Sequence, residues 1–97
     1  MSSADFQSGL DAENKGDYKT ALREWLPLAE NGDSEVQFIL GLMYLKGEEG
    51  VPRDFKAARK WWTLAAEQGD PNAQFQLAFM YLNGEGVPRD SKTAIKL

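Results

Sequence analysis

Three stretches of the 97-residue chain carry residues whose types and spacing could do chemistry. The carboxylates Glu48, Glu49 and Asp54 lie close enough in sequence to hold a cation or to work as an acid/base pair. Such a pair needs two environments that push its pKa values apart. A polar turn offers only water to both, so these side chains read as solvated loop charges and a helix cap. Gly84-Glu85-Gly86 has the glycines of a phosphate-cradling loop, but no lysine with serine or threonine follows it and Glu85 repels an anion. It reads as a turn. Trp61-Trp62 with Tyr44 could form an aromatic platform for a sugar or a cation. No nucleophile paired with a base accompanies any of these stretches. The expectation is therefore a protein with no catalytic residue, no cofactor and no metal site.

Composition narrows the chemistry further. The chain has neither cysteine nor histidine, which removes disulfides, thiol nucleophiles, imidazole bases and Cys/His zinc sites. A formal charge of −4 with scattered lysines and arginines leaves no basic patch to neutralise phosphates, so nucleic acid is not an expected partner. No apolar run approaches the ~20 residues that span a bilayer. The N-terminus lacks the basic and apolar regions of a signal peptide.

The elements that must position these residues come from a repeat. Gly32-Asp33, Gln37-Phe38, Leu40, Met43-Tyr44-Leu45 and Gly47-Glu48 recur at an offset of 37 as Gly69-Asp70, Gln74-Phe75, Leu77, Met80-Tyr81-Leu82 and Gly84-Glu85. Gly50-Val51-Pro52-Arg53-Asp54 then returns at an offset of 36 as Gly86-Val87-Pro88-Arg89-Asp90. Such a period belongs to solenoids, whose units bury their apolar faces only by stacking on one another. The spacing predicts helices over 4–15, from Asp17 to about 30, over 34–46, after Asp54, and after Asp70, with a truncated last helix over 91–97. Asp17, Asp33 and Asp70 serve as N-caps, and Gly47 and Gly84 as left-handed C-terminal residues. Pro27 removes a backbone donor inside the second helix and predicts a kink or an early last turn near Arg23 to Leu26, or a break of the helix. Trp62 answers Trp25 at an offset of 37, which marks both as core. Strands have no candidate. The result is an all-α fold, an α/α superhelix of helical hairpins in one domain of residues 1–97, with a half or degenerate unit over 4–31, a complete unit over 32–68 and a truncated one over 69–97.

Gln37-Phe38, Leu40-Gly41, Met43-Tyr44, Gly47, Gly50-Val51-Pro52, Asp54, Ala58, Trp62 and Ala65-Ala66-Glu67-Gln68-Gly69, taken in order, resemble the Sel-one-like repeat, a relative of the tetratricopeptide repeat. The resemblance covers nearly the whole chain. It implies a right-handed superhelix used mainly as a scaffold for protein contacts. Three departures concern local packing: Gly16-Asp17 lacks the five residues corresponding to the EEGVP stretch, Ala78 stands where Gly41 stood, and Ser91 where Phe55 stood.

Candidate binding residues follow. Phe38, Leu42 and Leu45 recur as Phe75, Phe79 and Leu82 at i, i+4 and i+7, on a face offset from Leu40, Met43 and Tyr44. Two accounts stay open. Solenoid helices touch neighbours before and behind, or the stripe lines a groove in which Gln37, Gln74 and Gln76 hydrogen-bond a partner backbone beside the aromatic rings. Trp61 has Glu24 as its counterpart, so the repeat does not dictate it and it joins the candidates. A protein or peptide is the expected partner, in a noncatalytic interaction scaffold. The alternative is a cell-envelope module for peptidoglycan or another glycan, motivated by Trp61 and an aromatic content of 11%. Ser3-Ala4-Asp5 is compatible with the start of a mature exported chain, and the resemblance inclines the expectation toward the bacterial periplasm or envelope. The face carrying Phe75, Phe79 and Leu82 is further expected to pair two copies as an isologous homodimer.

Overall fold

The computed structural model describes residues 5–84, and over that span the chain is a succession of five helices. They are α1 (Phe6–Asn14), α2 (Tyr18–Glu30), α3 (Ser34–Lys46), α4 (Phe55–Glu67) and α5 (Pro71–Asn83). Among the described residues the only β pairing is an isolated bridge between Glu48 and Val51. The helix expected over 91–97 lies outside the described residues.

An aspartate starts every helix. Asp5, Asp17, Asp33, Asp54 and Asp70 each accept hydrogen bonds from backbone N–H groups of the first turn, which have no partner inside the helix. Pro71 follows its cap at the first helical position, where a missing N–H costs nothing. The helices stop in two ways. α3 and α5 end on Gly47 and Gly84 at φ 71° and 73°, a left-handed conformation that a side chain would strain. α2 and α4 end on Asn31 and Gln68 in right-handed conformation, with Gly32 and Gly69 turning the chain immediately afterwards.

Pro27 neither breaks α2 nor ends it near Arg23 to Leu26, two of the outcomes the sequence allowed. The helix continues to Glu30, and the Asn31 N–H donates to the Pro27 carbonyl at 3.0 Å. Placed this close to the C-terminus, the proline removes one bond from the ladder, and the turn it opens is closed again by the bonds that follow.

Successive helices pack against one another along the chain. Trp25 and Trp62 are both completely buried. Trp25 stacks on Phe6 at 5.7 Å and donates its indole N–H to the Phe6 carbonyl at 3.1 Å. Trp62 stacks on Phe38 at 6.2 Å and donates to the Phe38 carbonyl at 3.0 Å. The two rings lie against Gly9 and Gly41, where a Cβ would fall inside the indole. Thus α1 with α2 repeats the contacts of α3 with α4, although only three residues, Lys15 to Asp17, stand in place of the longer α3–α4 connection. That connection contributes Val51, which is buried, and it returns to α3 through a bond from the Asp54 N–H to the Tyr44 carbonyl.

Candidate functional site

The two adjacent tryptophans of α4 serve different cores. Trp62 belongs to the cluster formed with Ala58, Ala65, Ala73, Leu77 and Met80, between α4 and α5. Trp61 points back into the cluster of α1, α2 and α3, with Trp25, Ala29, Val36 and Leu40. At 4% exposure it is core rather than a surface platform, which corrects the sequence expectation. Its counterpart Glu24 offered no such signal, because the identity of a repeat position says nothing about contacts between units.

Gln37 is likewise buried, at 3% exposure. Its Nε2 donates to the Ala29 carbonyl at 2.9 Å, and its Oε1 accepts from Gln68 Nε2 at 3.0 Å. Gln68 Nε2 also donates to the Gly32 carbonyl at 2.9 Å. Gln74 repeats the first of these bonds one unit later, donating to the Ala66 carbonyl at 3.2 Å. These amides satisfy carbonyls at the ends of α2 and α4, as buried polar groups must be satisfied. They are committed to the stack, and they tie each helix pair to the next. The recurrence of glutamine at 37 and 74 was the signal available for this role.

The aromatic stripe divides between the two units. Phe38, Leu42 and Leu45 on α3 are partly buried and pack against the α4–α5 core. Their equivalents on α5 stand in solvent: Phe75 is 65% exposed, Phe79 50% and Leu82 45%. Phe75 and Phe79 lie together, with ring centroids 6.2 Å apart and planes tilted by 40°. Gln76 is half-buried on the same helix. Of the seven candidate residues, the fold therefore brings Phe75 and Phe79 together at the surface and places Gln37 and Trp61 inside.

Two concavities are lined by the other helices. One, of about 190 Å³, lies between α1 and α3 and is lined by Leu10, Ile39, Leu42 and Met43 with Glu13 and Lys46 at its rim. The other, of about 470 Å³, opens where α2 and α4 end. The carboxylates of the first reading do not converge. Asp54 caps α4, Glu49 is exposed, and no group of three or more acidic side chains among the described residues is placed to hold a metal ion. No helix among them is long and apolar enough to cross a membrane. Burial, and then the Asp54 charge, push the Tyr44 hydroxyl above its usual range.

The same architecture occurs in solved structures. A protective antigen of uropathogenic Escherichia coli displaying an SLR fold matches with a TM-score of 0.86 and 34% identity, over 94% of this chain and 20% of its own. A Sel1 repeat protein from Oxalobacter formigenes matches with a TM-score of 0.84 and 28% identity, over 95% of this chain and 37% of its own. The chain thus spans a minor part of the length of both. No curated protein is significantly similar to it in sequence. The family model of the Sel1 repeat matches residues 34–70 and 71–97. By these repeats, and by the solenoid packing they produce, the chain belongs to the Sel1 repeat family.

Proposed function

We propose that this protein is a noncatalytic interaction scaffold that anchors a partner protein on the outer face of α5. The observation that carries the reading is the exposure of Phe75, Phe79 and Leu82. With the area of an aromatic side chain near 200 Å², the three present on the order of 300 Å² of apolar surface, the size of patch that marks contact sites. The partner's shape is suggested by the preceding unit, where the equivalent Phe38, Leu42 and Leu45 are covered by helices. An amphipathic helix with its own apolar stripe is the matching ligand. A patch this small supplies an anchor, and the rest of a stable interface, about 800 Å² per partner, must come from neighbouring surface. The glycan alternative is less well supported, since a sugar platform needs a broad open ring face and Trp61, at 4% exposure with Lys60 Nζ 4.5 Å from its ring centroid, presents none while Lys60 is in place.

The test compares wild type with Phe79→Glu as immobilised baits, followed by reconstitution of each retained protein from purified components. A protein bound directly by wild type and released at least about tenfold more readily by the variant supports the reading. Equal retention by both baits, with circular dichroism showing both folded, refutes it.

A further inference from the structure

A second surface, away from the α5 face, has a different chemistry. The cleft of about 470 Å³ at the ends of α2 and α4 is lined by Ala29, Glu30, Lys60, Trp61, Leu64 and Glu67 among others. Its floor is apolar, and Leu64 is 38% exposed there although it is a large aliphatic residue. The polar groups of its inner wall are already paired, since Gln68 donates to both Gly32 and Gln37. The rim is electronegative for two reasons that reinforce each other. α2 and α4 both finish at the cleft, so both present the negative end of the helix dipole, and both finish on a glutamate with no basic residue in the last turn. A glutamate at a helix C-terminus is placed against the dipole, and a cation between Glu30 and Glu67 relieves that repulsion at both ends. One cation is already present in the cleft. Lys60 Nζ lies 4.5 Å from the centroid of the Trp61 ring. As an exposed, flexible side chain it is a removable cover.

From this arrangement we infer that the cleft is a docking site for a basic side chain of a partner protein, an arginine flanked by apolar residues, which displaces Lys60 from the Trp61 ring. The guanidinium stacks on the indole between Glu30 and Glu67, and the flanking apolar groups cover Leu64 and Ala29. Arginine suits the place better than lysine because its planar, weakly hydrated head stacks on aromatic faces. Against the two glutamates, Lys60 is the one cation lining the cleft among the described residues, so a second cation is favoured by charge. This site does not depend on the α5 face.

Nitrogen-15 spectra resolve the three indole N–H groups, which a Trp61→Phe variant assigns. The probe is an acetylated, amidated leucine-arginine-leucine tripeptide, and the control is the same peptide with citrulline, which keeps the shape and loses the charge. The Trp61 signal should shift with the arginine peptide, while Trp25 and Trp62, held by the Phe6 and Phe38 carbonyls, stay in place. Citrulline should bind about tenfold more weakly, Lys60→Ala should bind the arginine peptide about threefold more tightly, and Glu67→Gln should bind it less tightly. An unmoved Trp61 signal in both wild type and Lys60→Ala, equal binding of the two peptides, or weaker binding by Lys60→Ala overturns the inference.

Discussion

Replacing Gly41 with alanine sets helix propensity against packing, because the two act with opposite signs. In a free helix alanine is favoured over glycine by about 1 kcal/mol. Here a Cβ at position 41 falls within the Trp62 indole, against Nε1 and the ring carbons beside it. The ring has nowhere to go. It is completely buried, stacked on Phe38 and tied by its N–H to the Phe38 carbonyl. Overpacking costs about 1–3 kcal/mol, and separating the indole donor from its carbonyl adds about 1–3 more. Setting the propensity gain against the middle of both ranges leaves a net loss of about 3 kcal/mol. Urea unfolding followed by circular dichroism reads this directly, as a lower midpoint at unchanged slope. Adding Trp62→Leu removes the obstacle, so Gly41→Ala should cost almost nothing in that background, and the double-mutant cycle should return a coupling of about 2 kcal/mol or more. Should Gly41→Ala instead prove neutral or stabilising by about 1 kcal/mol, propensity would be acting alone, and the seating of Trp62 on α3 would be wrong.

Other perturbations test the remaining contacts. Trp61→Ala should destabilise by about 3–5 kcal/mol, comparable with Trp62→Ala, since both rings are core; a loss under about 1 kcal/mol in urea unfolding would return Trp61 to the surface. Gln68→Ala strips the buried Gln37 Oε1 of its donor and should cost about 1–3 kcal/mol by the same assay, whereas no loss would mean the amide bridge is idle. The Asp5 carboxyl is held below its usual range first by the Ser8 N–H, and that of Asp17 by the Thr20 side chain and then its N–H. Their folded pKa values lie below the unfolded ones, so the stability they add is complete above the ordinary carboxylate range near 4 and is lost as pH falls through the lowered values. Melting followed by circular dichroism should therefore drop from pH 7 to pH 3 by less in Asp17→Asn than in wild type; an unchanged drop would remove the cap from the account. Finally, if the α5 face pairs copies, sedimentation over a concentration series should show mass rising with concentration, an effect that Phe79→Glu abolishes; a monomer throughout would leave that face to other partners.

The sequence by itself determined the local architecture, because the signals for it are local. An aspartate before α2, α3, α4 and α5 and a glycine just after each act within one turn of the backbone, so their starts and stops could be read directly, whereas the cap of α1, Asp5, was placed inside a helix expected from residue 4. The repeat identified Trp25 and Trp62 as core, since equivalent residues in equivalent units meet the same surroundings. That Pro27 would leave α2 unbroken was not legible, as its effect depends on how many ladder bonds follow it, a matter of one or two residues at a helix end. Tertiary structure alone decided the candidate site. Which neighbour a side chain meets depends on the rotation of each helix and on the next unit, neither of which is encoded at a single position. Stacking therefore turned Trp61 inward, committed Gln37 and Gln74 to helix ends, and left Phe75 and Phe79 in water while their equivalents on α3 were covered. The cleft beneath Lys60 exists only because α2 and α4, separated in sequence by all of α3, bring their acidic C-terminal ends to one place.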